Sequence, residues 1–379
     1  MPCSRCWSRP DLRTVSAATA ELDCPFVIET YQQALLDWYR RCGRSLPWRQ
    51  TRDPYRIWLS EIMLQQTGVQ AVLGYYSRFL ERFPTLQVLA EASIDDVIAQ
   101  WAGLGYYSRA RNLHAAARQV RERVAMGGCF PSDLDDLMAL PGVGRSTAGA
   151  IRSIAFDRKG VILDGNVRRV LCRLFALQQP PRSREAEKQL WAWAESLTPE
   201  GAAHDYAQAI MDLGALICTP RQPQCDRCPV GQCCRARQLG LEQQLPLKTP
   251  RKAVPLRYEV ALVIESPAGL MVRQRPLTGM LGGLWEFPCR PSEQVQDEEH
   301  EVAALQQELA CPAGPLRLLG QVRHVYSHFQ VIVSVYHLRI ESFFELASAE
   351  KRRWIPRSEV AGWPLHGSHG KILPLLDVM

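Results

Sequence analysis

Long hydrophobic runs are absent from this sequence of 379 residues. No apolar stretch approaches the roughly 18 residues that a membrane-spanning helix needs, so we expect no such segment. The start of the chain also lacks the apolar core of a secretory signal. The 13 cysteines therefore indicate a reducing compartment and not a framework of disulfides. Residues 1–25 show no consistent period and predict a disordered extension.

Lysine is scarce in the first two thirds of the chain, where only Lys159, Lys188 and Lys248 occur before residue 251. Residues 1–250 hold 31 Lys and Arg against 25 Asp and Glu, whereas residues 251–379 hold 14 of each. The net charge of +6 therefore belongs to the first part, which we expect to face a polyanion. The length suffices for two or three domains.

A glycine-containing turn is followed closely by a carboxylate. Gly142 and Gly144, in Leu140-Pro-Gly-Val-Gly-Arg-Ser146, let the backbone turn tightly and approach a partner. Residues 146–154 then predict a helix, whose dipole and free N–H groups suit an anion such as a DNA phosphate.

Asp164 and Asn166 precede a second predicted helix. Its apolar stripe should be buried and its arginines should point elsewhere. The stripe is Val167, Val170, Leu171 and Leu174, and the arginines are Arg168, Arg169 and Arg173. Asp164 or Asn166 serving only as a helix N-cap is the alternative. The turn and the carboxylate together resemble the helix-hairpin-helix and aspartate of DNA glycosylases of the endonuclease III superfamily.

A second carboxylate, Glu61, lies among apolar residues of another predicted helix. Burial would raise its pKa towards the range of a general acid, whereas periodicity alone favours an exposed glutamate. The wording Ser60-Glu-Ile-Met-Leu-Gln-Gln-Thr67 resembles the catalytic-glutamate motif of the MutY family of adenine DNA glycosylases.

Further site residues follow from the resemblance to the MutY family. It implies that Arg49 contacts a flipped base, that Gln66 enters the base stack, and that Tyr106 lies against a DNA lesion. Gly103 and Gly105 precede Tyr106, Tyr107, Arg109 and Arg111, a mixture of aromatic and basic residues that suits DNA. Tyrosines packed in a core beside solvated arginines are the alternative.

Four cysteines, Cys218, Cys225, Cys228 and Cys234, fall within seventeen residues. They suit one metal centre, for which zinc is the structural alternative to iron and sulfur. The spacing matches the [4Fe–4S] loop of endonuclease III and MutY enzymes. We expect the loop to contact phosphates, because arginines surround it.

Beyond a Pro-rich linker at 246–256, the period changes from helical to alternating. Strands at 258–264, 270–275 and 329–338 and a helix at 296–309 predict an α+β domain over 257–379. Gly282-Gly-Leu-Trp-Glu-Phe-Pro288 resembles the entry to a Nudix fold, but only Glu308 remains of three acidic positions. In MutY enzymes this domain reads the damaged base through Phe-Ser-His, which corresponds here to Tyr326, Ser327 and His328.

We therefore expect a mainly α catalytic region over 26–245, with a six-helix barrel at about 48–157 and an iron–sulfur part from both flanks, joined to a C-terminal α+β Nudix-like domain. The resemblance implies a monofunctional base-excision-repair glycosylase that removes adenine opposite 8-oxoguanine. Glu61, Asp164 and Asn166 would be catalytic, and Gly142, Gly144 and Ser146 would bind DNA. We expect a monomer in the bacterial cytoplasm, associated with the nucleoid. The rival functions are an endonuclease III-like glycosylase with lyase activity and an inactive iron–sulfur DNA-binding module.

Overall fold

The computed structural model describes residues 25–248, 254–292, 298–312, 314–341 and 351–377. Nearly all of the predicted disordered extension and the middle of the predicted linker lie outside these residues. The chain forms two compact units, Met1–Glu91 with Asn112–Pro250, and Ala92–Arg111 with Arg251–Met379. The sequence assigns residues 92–111 to the catalytic region, but in the structure they cluster with the C-terminal residues.

The first two thirds of the described chain are helical, as expected. The helices are α1 (Ile28–Cys42), α2 (Pro54–Leu64), α3 (Val69–Arg82), α4 (Leu86–Glu91), α5 (Ile94–Trp101), α6 (Ser108–Ala125), α7 (Leu134–Met138), α8 (Arg145–Phe156), α9 (Gly165–Leu174), α10 (Arg184–Leu197), α11 (Ala203–Asp212) and α12 (Arg235–Leu239). Short 3₁₀ turns cover Pro47–Arg49 and Cys225–Arg227, and a π-helical turn covers Leu213–Ile217.

The apolar stripe predicted for α9 lies in the core of the first unit. Tyr31 and Leu35 of α1 pack in one cluster with the stripe of α9 and with residues of α8, α10 and α11. Two aromatic rings in this cluster, Phe175 and Trp193, stack with centroids 4.2 Å apart. No helix in the described part of the chain combines the length and the apolarity needed to cross a bilayer.

Helix α9 corrects one expectation. Arg173 was expected to point away from the core, but its side chain is only 1% exposed. Its guanidinium donates hydrogen bonds to the carbonyl oxygens of Leu245 (2.9 Å) and Thr219 (2.7 Å). A buried guanidinium needs such acceptors, and backbone carbonyls from distant segments supply them here.

The second unit contains a mixed sheet, and both the α+β class and the predicted strands are confirmed. Its strands in the described residues are β1 (Leu256–Ser266), β2 (Gly269–Gln274), β3 (Trp285–Glu286), β4 (Cys289–Ser292), β5 (Leu316–Val325), β6 (Gln330–Arg339) and β7 (Arg352–Ile355). The main path runs β3-β2-β1-β6-β5, with β4 paired to β1 and β7 paired to β2. Strands β1 and β6 are parallel, from Leu256 opposite Gln330 to Glu265 opposite Arg339.

Both faces of the sheet are covered, which explains the nearly continuous apolar run in β1. Val260 and Leu262 pack on one face with Val302 of helix α13 (Glu298–Glu308). Ala261 and Val263 pack on the other face with residues of the C-terminal segment, which holds a 3₁₀ turn (Val360–Gly362), α14 (Gly367–Gly370) and α15 (Leu373–Leu376). Strands β3, β4 and β7 are too short to give a sequence period.

Candidate active site

The first unit holds a cavity of about 840 Å³. Its walls come from α2, from α8, from the start of α9, from α11 and from the segment before α2. It brings together five of the predicted site residues: Arg49, Glu61, Ser146, Asp164 and Asn166. The cavity therefore joins the two motifs that the sequence singles out, although about 100 residues separate them.

Glu61 projects from the third turn of α2, between the fully buried neighbours Ile57 and Met63 and near Leu64. The pKa of Glu61 is raised to about 7, mainly by burial and also by the nearby Asp164 carboxylate, while Arg49 opposes the rise. A carboxylic acid with this pKa is half protonated near neutral pH. Glu61 is therefore suited to donate a proton.

Asp164 is the N-cap of α9, and its Oδ1 accepts a hydrogen bond from the Val167 N–H at 2.7 Å. Burial raises the pKa of Asp164, while the backbone N–H groups of Val167 and Asn166, together with Arg169, counteract that rise. The N-cap reading of the sequence is thus confirmed. Because Asp164 also lines the cavity, the capping role and a catalytic role are compatible.

Sequence reasoning missed Asp212, at the end of α11. Its side chain is fully buried and binds both Arg44 and Arg49; the two Arg49 contacts are 2.7 Å each. Burial opposes ionisation, but the hydrogen bonds and charges of these arginines hold the pKa of Asp212 below its usual range. Asp212 therefore fixes the orientation of Arg49 in the cavity wall. One acidic residue at the end of a helix gives no pattern that could have revealed it.

Gln208, one turn before Asp212 on α11, likewise lies outside every motif that the sequence offers. Gln208 lines the cavity and is 1% exposed. Its amide nitrogen lies 2.7 Å from Nε2 of His204. Its Oε1 is buried without a hydrogen-bond partner among the described residues, so this oxygen remains for a ligand.

The predicted hairpin is formed by the turn between α7 and α8. Gly142 has a φ of +79°, and a Cβ there would lie 2.9 Å from Cβ of Asn112, so only glycine fits. Gly144 is the N-cap of α8, whose first turn holds no acidic residue. The Oγ of Ser146 accepts a hydrogen bond from the Leu163 N–H at 3.0 Å. The free N–H groups of this first turn suit an anion.

Gln66 and Tyr106, the two residues predicted to enter or touch the base stack, both have left-handed backbone conformations, with φ of 56° and 50°. Such angles are uncommon for residues with side chains and are often found at functional sites. Gln66 is exposed, directly after α2. The neighbouring Gln65 donates from Nε2 to the Gly142 carbonyl at 3.2 Å, and so links α2 to the hairpin.

The residues around Tyr106 require a correction. Tyr107 and Arg109 are buried. They are therefore not placed to contact DNA, and Arg109 is not a solvated arginine. The Tyr107 hydroxyl accepts the Gly103 N–H at 2.9 Å, and Arg109 donates to the carbonyls of Leu104 and Gly105. These polar groups hold the glycine turn from inside, which leaves Tyr106 as the aromatic residue at its surface.

The second unit places Tyr106 beside the predicted recognition loop between β5 and β6. The hydroxyl of Tyr106 lies 2.7 Å from the hydroxyl of Ser327. Ser327 and His328 are exposed at the turn. The Tyr326 hydroxyl, for which the sequence offered no role, lies 3.0 Å from Oγ of Ser368 and accepts the Ser368 N–H at 3.1 Å. The Tyr326 hydroxyl thus attaches the recognition loop to the C-terminal segment.

Glu308 on α13 is the one acidic residue that remains of the Nudix pattern. It forms ion pairs with Arg273 and Arg290 at 3.3 and 3.0 Å. Nudix hydrolysis needs several carboxylates around Mg²⁺. In this structure the Glu308 carboxylate instead binds two arginines.

The four predicted cysteine ligands meet in one loop against α9. The pKa of the Cys228 thiol is raised to about 12, mainly by burial and also by the neighbouring Cys218, Cys234 and Cys225. Within this loop, a Cβ on Gly231 would fall 3.2 Å from the Cys228 carbonyl and 2.5 Å from Arg237. Four partly buried thiols in one loop suit a metal centre, which removes their protons.

Arg169 of α9 connects this cysteine loop to Asp164 through Asn166. Arg169 donates to the carbonyls of Cys218 (2.8 Å) and Gly214 (2.6 Å) and to Oδ1 of Asn166 (2.9 Å). Asn166 in turn lies 3.5 Å from Asp164. Asn166 therefore orients the site from the side of the cysteine loop.

A second group of possible metal ligands lies in the second unit, where Glu259, Cys289 and His369 bring one ligand atom each within 4.8 Å of one another. The Nδ1 of His369 accepts the Phe287 N–H at 3.0 Å. The neutral ring therefore carries its proton on Nε2. With Nδ1 already accepting a hydrogen bond and Nε2 protonated, neither nitrogen has a lone pair for a metal.

Comparison with known proteins agrees with this geometry. Residues 59–196 match the profile of the HhH-GPD superfamily base excision DNA repair proteins, and residues 259–375 match the NUDIX domain. The adenine DNA glycosylase of Homo sapiens is 38% identical over 88% of this chain and 71% of its own length. That of Buchnera aphidicola subsp. Baizongia pistaciae is 32% identical over 86% of this chain and 90% of its own length.

A solved structure of a thermostable thymine-DNA glycosylase covers 56% of this chain and 97% of its own, at 30% identity and a TM-score of 0.51. The fold and the paired carboxylates define a helix-hairpin-helix DNA glycosylase. With the curated relatives, they show that the chain belongs to the adenine DNA glycosylase family and is a base-excision-repair enzyme.

Glu61→Gln and Asp164→Asn should each lower single-turnover base release by about 10²- to 10⁴-fold, because one removes a proton donor and the other a charge. Affinity for the mismatched duplex should persist, since neither change removes surface. The measurement is base release at saturating protein beside a binding titration. Glu81→Gln, an exposed glutamate on α3, is the matched control. Normal release by either variant would remove that residue from the mechanism.

Proposed function

We propose that this enzyme hydrolyses the glycosidic bond of adenine opposite 8-oxoguanine in duplex DNA and leaves the strand intact. The observation that carries the proposal is the cavity in which a glutamic acid with a pKa of about 7 accompanies a capped aspartate. Two such carboxylates, one a proton donor and one an anion, are the groups that glycosidic hydrolysis requires.

Adenine enters this cavity flipped out of the duplex, because its glycosidic bond is not accessible inside the base stack. Glu61 gives its proton to N7, and the bond from the sugar carbon to N9 breaks with its electron pair on the base. The Asp164 carboxylate stabilises the cationic sugar. Water then adds to that carbon and gives a proton to the Asp164 carboxylate. The products are an abasic site and free adenine.

Gln208 supports adenine as the base that the cavity accepts. The amide oxygen left without a partner is a hydrogen-bond acceptor, and adenine offers an amino group at C6. A purine with an oxygen at C6 would face this acceptor with a second acceptor. The cavity wall therefore favours the amino purine.

The second unit supports recognition of the opposite base. Ser327 at the turn offers a hydroxyl, and Tyr106 offers a ring beside it. The extra N–H and carbonyl of 8-oxoguanine distinguish it from guanine, and a loop held in place can read such a difference by hydrogen bonds. We assign this task to Tyr326, Ser327 and His328, with Tyr106 against the lesion.

In the full chain, Ser327→Ala should lower the preference for 8-oxoguanine over guanine opposite adenine by about tenfold, the worth of one hydrogen bond. Tyr326→Phe should lower it less, because the variant loses only the bonds that hold the loop to Ser368. Release rates from the two duplexes give the preference. Ser358→Ala, an exposed serine after β7, serves as control. An unchanged preference in Ser327→Ala would exclude the loop from lesion recognition.

We further propose that Cys218, Cys225, Cys228 and Cys234 hold a [4Fe–4S] cluster. A single tetrahedral zinc ion would bring its sulfurs to roughly 3.8 Å from one another. Among the described residues, no three of these sulfurs lie within 4.8 Å of one another. This wider spacing suits a cluster, which would tie the basic loop after α11 into one rigid element facing phosphates.

The purified protein should be brown and contain about four iron and four sulfide per chain. Cys225→Ser should weaken DNA binding more than it slows base release per bound complex, because the loop lies outside the cavity lining. Metal analysis and a binding titration test both statements. Colourless protein with one zinc per chain would overturn the assignment.

The monofunctional mechanism rests on Ser146. A lyase needs an amine to form a Schiff base with the sugar, and the endonuclease III pattern has lysine at this position of the hairpin. Ser146 lines the cavity with Asp164, and its Oγ is bonded to the Leu163 N–H. Neither Lys159 nor Lys188 lines that cavity.

Borohydride should therefore trap little covalent adduct with the unmodified protein, and Ser146→Lys should gain one. The comparison is made at equal base release, by the yield of protein–DNA adduct on a denaturing gel. Ser146→Gln, which is long but lacks the amine, is the control. Trapping by the unmodified protein in proportion to base release would instead favour an endonuclease III-like glycosylase with lyase activity.

The chain's state of assembly and its place in the cell stay predictions. We propose a monomer that works on DNA in the bacterial cytoplasm, at the nucleoid.

A further inference from the structure

His204 lies at the start of α11, outside the sequence motifs of the site. Its Nδ1 lies 2.7 Å from the carbonyl oxygen of Ile154, near the end of α8. Its Nε2 lies 2.7 Å from the amide nitrogen of Gln208. The ring therefore stands between a backbone carbonyl and the side chain that faces the base.

These contacts fix the tautomer of His204. A carbonyl oxygen can only accept, so Nδ1 must carry the proton. In a neutral ring Nε2 is then an acceptor, and the amide NH₂ of Gln208 donates to it. The same NH₂ also lies 3.2 Å from the carbonyl oxygen of His204, a second acceptor. The Gln208 amide consequently has one favourable orientation, with Oε1 turned away from His204.

The surroundings of His204 keep the ring neutral. Burial is the largest cause that lowers its pKa, and Arg52 lowers it as well. The Ile154 carbonyl, Asp205 and Asp157 act in the opposite direction, and Asp157 also accepts the His204 backbone N–H at 2.8 Å. The net effect is a lowered pKa, so the acceptor form of Nε2 predominates at neutral pH.

We propose that His204 is a positioning residue that sets base selectivity through Gln208. By holding the Gln208 amide in one orientation, His204 presents an acceptor to the base, which favours the amino group of adenine and disfavours a carbonyl at the same carbon. If Nε2 became a donor, the amide would turn over and present NH₂ to the base. The inference rests on the proposed contact between Gln208 and the base.

The test compares release of adenine with release of hypoxanthine, which has oxygen in place of the amino group at C6. Both bases are placed opposite 8-oxoguanine in the full-length protein, and the ratio of single-turnover rates is measured. Titration of Glu61 and Asp164 affects both substrates, so it largely cancels in this ratio.

Two substitutions separate positioning from simple loss of structure. His204→Gln and His204→Lys both lose the bond to Ile154, but glutamine retains an uncharged acceptor whereas lysine offers only donors. His204→Lys should lower the adenine-to-hypoxanthine ratio by about tenfold or more, and His204→Gln should stay within about threefold of the parent. Thermal melting checks that both fold.

The pH dependence gives a second readout that holds even if His204→Lys does not fold. In the parent protein the ratio should be constant around neutral pH and fall as acid protonates His204. In His204→Gln, whose amide does not titrate, the ratio should stay flat over the same range. A fall in acid that is as large in His204→Gln as in the parent would overturn the proposal.

Gln208→Leu distinguishes the two levels of inference. If this variant keeps the parent ratio, Gln208 does not read the base and both proposals fail. If Gln208→Leu lowers the ratio but His204→Lys does not, only the role of His204 fails. The proposal also requires that His204→Lys have no further effect on the ratio in the Gln208→Leu background, and a persistent effect there would overturn it.

Discussion

Burial of charge around one cavity is the constraint on which the site depends. Asp212 is fully buried, but Arg44 and Arg49 compensate it, so its pKa stays below the usual range. Glu61 lines the cavity without comparable compensation, and its pKa rises to about 7. Near neutral pH, Asp212 is therefore ionised whereas Glu61 is about half protonated. The ionised Asp212 holds Arg49 in the cavity wall, and Glu61 has a proton to give.

The same constraint, that a buried charge needs polar partners, applies to helix α9 outside the cavity. Its N-terminus carries Asp164, and its buried side carries Arg173, whose guanidinium must find acceptors in the interior. Those acceptors are carbonyls of the cysteine loop and of the segment that follows it. Arg169 adds contacts from the same helix to Cys218 and to Asn166. The loop that holds the cysteines and the Asp164 carboxylate in the cavity are thus placed by one helix of ten residues.

Much of the fold and site could be predicted from the sequence, because the motifs are local. The apolar stripe of α9, the hairpin glycines and the cysteine spacing each specify a structure within a few residues. The missed residues act at long range: Asp212 lies 163 positions from Arg49, and Gln208 owes its orientation to a neighbour that is itself fixed by α8. Arg173 was placed wrongly because periodicity assigns a charged residue to the surface, whereas its acceptors are backbone groups that no pattern reveals. The Tyr326 hydroxyl likewise finds its partner 42 positions away, at Ser368.

The central claim is that the cavity holds Glu61 protonated and Asp164 ionised at the moment of reaction. The most direct measurement is the pH dependence of single-turnover adenine release from a duplex with adenine opposite 8-oxoguanine, at saturating protein. Because the pKa of Glu61 is raised to about 7, release should decline as pH rises through that value, when the proton donor is lost. It should decline again in acid, as Asp164 takes up a proton, to give a bell-shaped profile. A rate that stays constant from pH 6 to pH 9 would contradict the account.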